Sequence, residues 1–220
     1  PLVTGSRDTT LMVWPVSAAA ASHGRPPLAD KPRLILHGHD DEVTAVSVSS
    51  ELDTIASGSR DGSVILYALR SGTYIRTIDH PSRACVDLVA ISAYGCIALA
   101  SHADDLIHVC SINHPRGMPP LASAAAGETL HALLFSAAGD VLLTAGGSGG
   151  IVLRQPPDLA VVCAPAVEST EPLCCAALSA DEQHLLAGTE HGRLLVWGLT
   201  REARARNYLS ELDQTQGLGF

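Results

Sequence analysis

Histidine, serine and aspartate occur close together at His39, Ser57 and Asp61, the residue types of a base, a nucleophile and an orienting acid. Their placement argues against catalysis. Ser57 to Ser63 holds a tight Arg60-Asp61-Gly62 turn between two apolar runs, a strand–turn–strand hairpin rather than the strand–turn–helix elbow that lifts a nucleophilic serine out of a sheet. His37-x-His39 followed by Asp40, Asp41 and Glu42 has the donor atoms of a metal cluster. Alternate residues near a strand start point to opposite sides, so no metal site is expected there. The run Gly146 to Gly150 has the flexibility of a phosphate-binding loop, but no helical pattern follows it and no Lys-Ser/Thr closes it. A hairpin turn accounts for it.

The six cysteines, Cys85, Cys96, Cys110, Cys163, Cys174 and Cys175, contain no C-x-x-C and no zinc spacing. Most fall on apolar runs where Ile or Val would serve, which predicts reduced, buried thiols. No cofactor is expected.

The elements that carry these residues repeat. From His37 to Ile78 the chain offers a Gly-His pair, an alternating apolar run, a turn at Ser50 to Asp53, a second run, the Arg60-Asp61-Gly62 turn, and two more runs. Four short strands joined by turns make one antiparallel meander. The segments VSVS, VAIS, LLFS and AALS end at Ser49, Ser92, Ser136 and Ser179, spaced by 43, 44 and 43 residues. A second ruler runs through Trp14, Tyr67, Cys110, Arg154 and Trp197, at steps of 53, 43, 44 and 43. The long first step reflects an Ala/Pro-rich insertion, Pro15 to Pro32. A period of roughly 40–45 residues with four strands per unit is the signature of a β-propeller blade.

These residues resemble the WD40 family, most closely at VTGSRDTTLMVW (Val3 to Trp14), His37 to Tyr67, and LAGTEHGRLLVW (Leu186 to Trp197). The resemblance implies a buried structural tetrad of His, Ser/Thr, Asp and Trp, carried here by His39, Ser57 and Asp61, with Tyr67 where Trp is usual. Thr4, Asp8 and Trp14 match its last three roles one blade earlier. Asp104 survives at the Asp position of the next blade, while Ser148 and His191 replace it in the last two, and none of these three blades has the tetrad histidine. Over residues 2–78 the pattern is similar to the C-terminal propeller of neurobeachin-like BEACH proteins. Four full repeats and most of a fifth, against the roughly seven blades usual in closed propellers of this type, imply a partial ring with upstream blades missing, and the BEACH likeness implies BEACH and PH-like domains upstream.

The blade boundaries expected are an incomplete blade at 1–36 with the insertion at 15–32, then blades at 37–78, 79–124, 125–167 and 168–200, and a polar tail at 201–220. In that tail, alternating Arg and acidic residues permit either a short helix through Leu212 or a frayed end. With 46% apolar residues the chain can bury a sizeable core. A formal charge of −9 and 4% aromatic content argue against nucleic acid, bound through clustered Lys/Arg and stacking platforms. No apolar run approaches ~20 residues, so no membrane insertion is expected.

Turns between second and third strands should share a face with the loops leading into each blade. Arg7, Arg60, Ala103, Gly147 and Glu190 should lie there, with Asp40, Asp41, Arg83 and Glu168 beside them. Such a mixed-charge rim suits protein recognition. The expected function is therefore a non-catalytic scaffold, cytoplasmic and peripheral at endomembranes. Its partners would be proteins or peptides and its own upstream domains, and its trafficking role comes from the BEACH likeness alone. An adaptor of another complex is one alternative. A propeller enzyme is the other, but the first strands offer only Asp87 and His131 as inward reactive groups.

Overall fold

The computed structural model describes residues 1–16, 30–113, 115–163, 171–179, 181–199 and 212–214. Among the described residues there are five antiparallel sheets and no helix. The first sheet has three strands, β1 (Leu2–Gly5), β2 (Leu11–Trp14) and β3 (Leu34–Leu36). The second holds β4 (Val43–Ser49), β5 (Thr54–Ser59), β6 (Ser63–Ala68) and β7 (Tyr74–Asp79). The third is β8 (Leu88–Ile91), β9 (Cys96–Ser101), β10 (Leu106–Ser111) and β11 (Ala122–Ala125). The fourth is β12 (Leu130–Phe135), β13 (Leu142–Gly146), β14 (Ile151–Gln155) and β15 (Ala160–Cys163). The fifth is β16 (Leu173–Leu178), β17 (His184–Thr189), β18 (Leu194–Leu199) and β19 (Leu212–Gln214). Each is a meander whose strands pair in chain order.

The serine ruler has a local cause. Ser92 Oγ accepts the Tyr94 and Cys96 amides at 3.3 and 3.0 Å. Ser179 Oγ accepts the His184 amide at 2.9 Å and donates to Asp181 at 2.6 Å, and Ser136 makes the matching pair with Val141 and Asp140. A hydroxyl at the end of each first strand thus closes the turn into the second, competing with water for backbone donors. The turn into the third strand uses a side chain two residues before the amide it accepts. Asp8, Asp61, Asp104 and Ser148 cap Thr10, Ser63, Leu106 and Gly150 in this way. Serine at 148 therefore keeps the turn without the charge.

The second strands are buried on both faces. Every residue of β5 and of β13 is buried, as is all of β9 after Cys96. Those stretches accordingly carry small or apolar residues on both faces, with only Ser and Thr as polar members, rather than alternating with charged ones. β17 differs, its exposure alternating residue by residue, as in a strand covered on one side.

The chain divides into two compact units, Pro1–Val89 with Pro115–Pro119, and Ala90–His114 with Pro120–Phe220. In the first, Leu11, Val13 and Leu36 pack with Val43, Ile55, Ile65 and Tyr67 in one core. In the second, Ala132, Leu143, Ile151 and Leu153 pack with Leu173, Leu185, Ala187 and Trp197. The stretch weighed as a short helix through Leu212 lies outside the described residues up to position 211. Leu212–Gln214 pairs with Trp197–Leu199, because the outward edge of β18 presents backbone donors and acceptors that a strand satisfies. Most of the Ala/Pro-rich insertion, residues 17–29, and most of the tail lie outside the described residues.

Candidate functional site

The first unit carries the tetrad candidates and most of the candidate rim. His39 is buried at the loop entering β4 and spans the sheet from its turn to its middle. Its Nδ1 lies 2.9 Å from Asp61 Oδ2 and its Nε2 2.8 Å from Ser57 Oγ. Asp61 also accepts the Ser63 hydroxyl at 2.6 Å, the Ser63 amide at 2.8 Å and the Asp40 amide at 3.0 Å. Burial raises the Asp61 carboxyl, but the hydrogen bonds from Ser63, His39 and Asp40 together outweigh it and hold the group below its ordinary 3.8. Tyr67 stands apart from this chain of bonds. Its hydroxyl donates to the His37 carbonyl at 3.1 Å, and burial pushes its pKa up to about 12. In the preceding sheet Trp14 Nε1 donates to Thr4 Oγ1 at 3.0 Å, while Asp8 accepts the Thr10 hydroxyl at 2.7 Å.

With Asp8 and Asp61 turned to their own loops, the arginines before them point outward. Arg7 and Arg60, in the repeated Ser-Arg-Asp of two successive turns, both approach Glu42 Oε2, at 4.0 and 3.5 Å. Their side chains stay 90% and 60% exposed. Asp40 and Asp41 are exposed beside Glu42, and Asp41 Oδ1 accepts the Glu42 amide at 2.7 Å. Arg83, also exposed, has a left-handed backbone (φ 55) whose carbonyl abuts Gly62. Glu190 belongs to the second unit, exposed, its amide on the Pro172 carbonyl at 3.1 Å. Glu168 lies outside the described residues.

Two side chains in the second unit escape a reading by motif. His108 on β10 is buried, 2.7 Å through Nδ1 from Ser123 Oγ and 3.6 Å through Nε2 from Asp104. A histidine of the third strand thus faces the turn aspartate in this blade. Burial lowers the His108 pKa against the opposing pull of Asp104. Arg154 occupies the aromatic position of its sheet and is buried, donating to the Ala125 carbonyl at 2.9 Å. Desolvation depresses its guanidinium from the usual value. Only its place on the second ruler marked it.

Among the described residues, the reactive side chains considered from sequence each have local partners of their own. Asp87 lies 3.3 Å from the Cys85 thiol, and His131 meets the ring of His102 edge-on at 6.1 Å. Gly146 to Gly150 also satisfies the spacing Gly-x-Ser-x-Gly. Ser148 sits at an exposed β13–β14 hairpin, so it is no nucleophile elbow. Of the cysteines, Cys110 is buried, Cys85 and Cys96 are half-buried, and Cys174 and Cys175 are exposed, contrary to the expectation of burial for the last two. They fall on β16, an edge strand whose pairing shifts register between Leu173 and Cys175, so that both neighbouring side chains are exposed.

A family model described as the neurobeachin beta propeller domain matches residues 1–207. BEACH domain-containing protein B of Arabidopsis thaliana is 35% identical over 210 residues, which cover 90% of this chain and 8% of that protein. BEACH domain-containing protein lvsE of Dictyostelium discoideum is 29% identical over 201 residues, 88% of this chain and 9% of that protein. The chain thus spans less than a tenth of the length of these relatives. Among solved structures, the β-propeller domain of Cps50 (Swd1) from Myceliophteria thermophila superposes with a TM-score of 0.71 at 16% identity. The superposition covers 98% of this chain and 70% of that one. At that identity it speaks to fold alone.

Proposed function

The chain belongs to the neurobeachin β-propeller family, and on that premise we propose that it is a docking scaffold rather than a catalyst. The observation that carries this reading is the convergence of Arg7 and Arg60 on Glu42, with both arginines largely exposed. Exposed ion pairs are worth roughly 0–1 kcal/mol to stability, so folding alone gives little reason to hold three charges together there. A partner of complementary charge would draw specificity and association rate from it. The tetrad beneath, His39 with Ser57 and Asp61, works as the rigid support that sets the turn.

Within this reading the chain is part of a ring of about seven blades. Five sheets, the first short of one strand and the last covered on one side, support it. Its 98% overlap with 70% of a propeller chain supports it too. The remaining blades and BEACH and PH-like domains would come from the same polypeptide, with the propeller serving membrane trafficking at the cytoplasmic face of endomembranes. The identity of the relatives as BEACH domain-containing proteins supports the BEACH part; among the described residues no helix is long and apolar enough to cross a membrane.

The test is affinity capture from cell lysate with Arg7→Glu/Arg60→Glu against the parent chain, with matched melting temperatures as the control for folding. Selective loss of bound proteins is expected. Unaltered capture of every protein would remove the rim from the proposal.

A further inference from the structure

The glycine-rich turn between β13 and β14 does bind an anion, one that belongs to its own chain. Glu128, in the loop entering β12, places Oε2 at 2.6 Å from the Ser148 amide, and the Thr129 carbonyl accepts the Gly147 amide at 2.9 Å. A Cβ at Gly146 would lie 2.5 Å from the Thr129 carbonyl and 2.7 Å from Glu128 Cδ, so only glycine admits this approach. The carboxylate is thereby fixed against backbone rather than left free in solvent. It lines a cavity of about 240 Å³ together with Ser101, His102, Asp105, Thr129 and Leu130.

The cavity has acceptors to spare and no cation. Asp105 makes no side-chain hydrogen bond or ion pair among the described residues, and Glu128 Oε1 has no hydrogen-bond partner among them. His102 contributes one wall, its Nε2–H donating to the Leu130 carbonyl at 2.7 Å, which turns the ring into a fixed flat surface. His131 stands edge-on beside it. Two carboxylates with no lysine or arginine among the lining residues, one of them held by the Ser148 amide, beside a flat ring, are what a planar, many-donor cation recognises.

We propose that this cavity takes the guanidinium of an arginine presented by a partner peptide. The fork donates to Glu128 Oε1 and Asp105 while its face lies along His102. An ammonium, a compact and strongly hydrated point charge, uses the same carboxylates less completely. The inference rests on the scaffold reading and adds the chemistry that one partner must carry. Its test is independent of the Arg7 and Arg60 variants, so either can fail alone.

The experiment is a titration of the intact chain with N-acetyl-arginine amide, followed by the imidazole resonances of His102 and His131 and the amide of Ser148. N-acetyl-lysine amide and N-acetyl-glutamate amide serve as the comparison arms. Saturable shifts with arginine are expected, weaker ones with lysine, and none with glutamate. Asp105→Asn/Glu128→Gln should weaken arginine binding roughly tenfold or more, as loss of charge-assisted bonds does. Glu128→Gln keeps an acceptor for Ser148, so an unmoved Ser148 amide in the free variant reports an intact loop. The proposal is overturned by undiminished arginine binding in the double variant, by lysine binding as tightly as arginine, or by no arginine shifts at all.

Discussion

At the residue scale, the most informative group is a carboxylate whose neighbours outvote its burial. Asp61 is held below 3.8 by Ser63, His39 and the Asp40 amide against the desolvation that would raise it. A folded-state value below the unfolded one means stability fully present above about pH 4 and lost as pH falls through the folded value. Asp61→Asn keeps the shape but surrenders the charge, and should cost about 1–3 kcal/mol at neutral pH. Urea midpoints of the parent and variant should converge as the buffer is taken from pH 7 to pH 3. A gap that stays constant with pH would show that the carboxylate is not the group that matters. Thiol chemistry gives a second reading. Burial pushes the Cys110 thiol up to about 11, leaving on the order of one thiolate in a thousand at pH 8. A maleimide at that pH should label exposed Cys174 and Cys175 first and reach Cys110 only in denaturant, as peptide mapping by mass spectrometry would show.

At the element scale, one turn recurs with different surroundings, and that difference can be measured. Gly62 and Gly192 end the same turn in two sheets with nearly equal left-handed φ, +81 and +80. A Cβ at Gly62 would meet the Arg83 carbonyl oxygen at 2.7 Å, whereas nothing lies within 4 Å at Gly192. Gly192→Ala should therefore show backbone strain alone, about 1 kcal/mol. Gly62→Ala adds a clash with backbone that cannot swing aside, for a total of about 2–4 kcal/mol. Equal losses in a denaturant titration would mean that the neighbouring loop yields. The turn was legible in the chain because its chemistry is local: a serine or aspartate capping an amide two to five residues on repeats wherever the turn does. The meeting of Arg7, Arg60 and Glu42 was less legible. It depends on three loops from two successive repeats, and only their shared rim position was readable. Glu128 on the glycine turn was not legible at all, since a glycine run shows room for an anion without showing whose. Arg154 hid for another reason, as a cation at a position where packing normally calls for an aromatic ring.

At the scale of the whole molecule, the burial record separates sheets whose second strand is buried throughout from one whose second strand alternates. β5 and β13 have every residue buried, while β17 alternates, and Cys174, Cys175 and Leu194 of the same sheet stay exposed. A four-stranded meander needs cover on both faces to bury its apolar side chains, and the proposed ring would supply that cover to the one-sided sheet. If the ring of about seven blades is right, a chain extended by its further blades should change that sheet more than any other. Amide hydrogen exchange makes the comparison directly. In the present chain β17 and β18 should exchange faster than β5, because opening a one-sided sheet exposes less apolar surface and costs less. In the extended chain their protection should rise toward that of β5, and the outer face of β1, first strand of the three-stranded sheet, should gain protection with them. Unchanged exchange in β17 and β18, with the extension folded, would mean that the last sheet ends the stack and that the blade count has to be read from five.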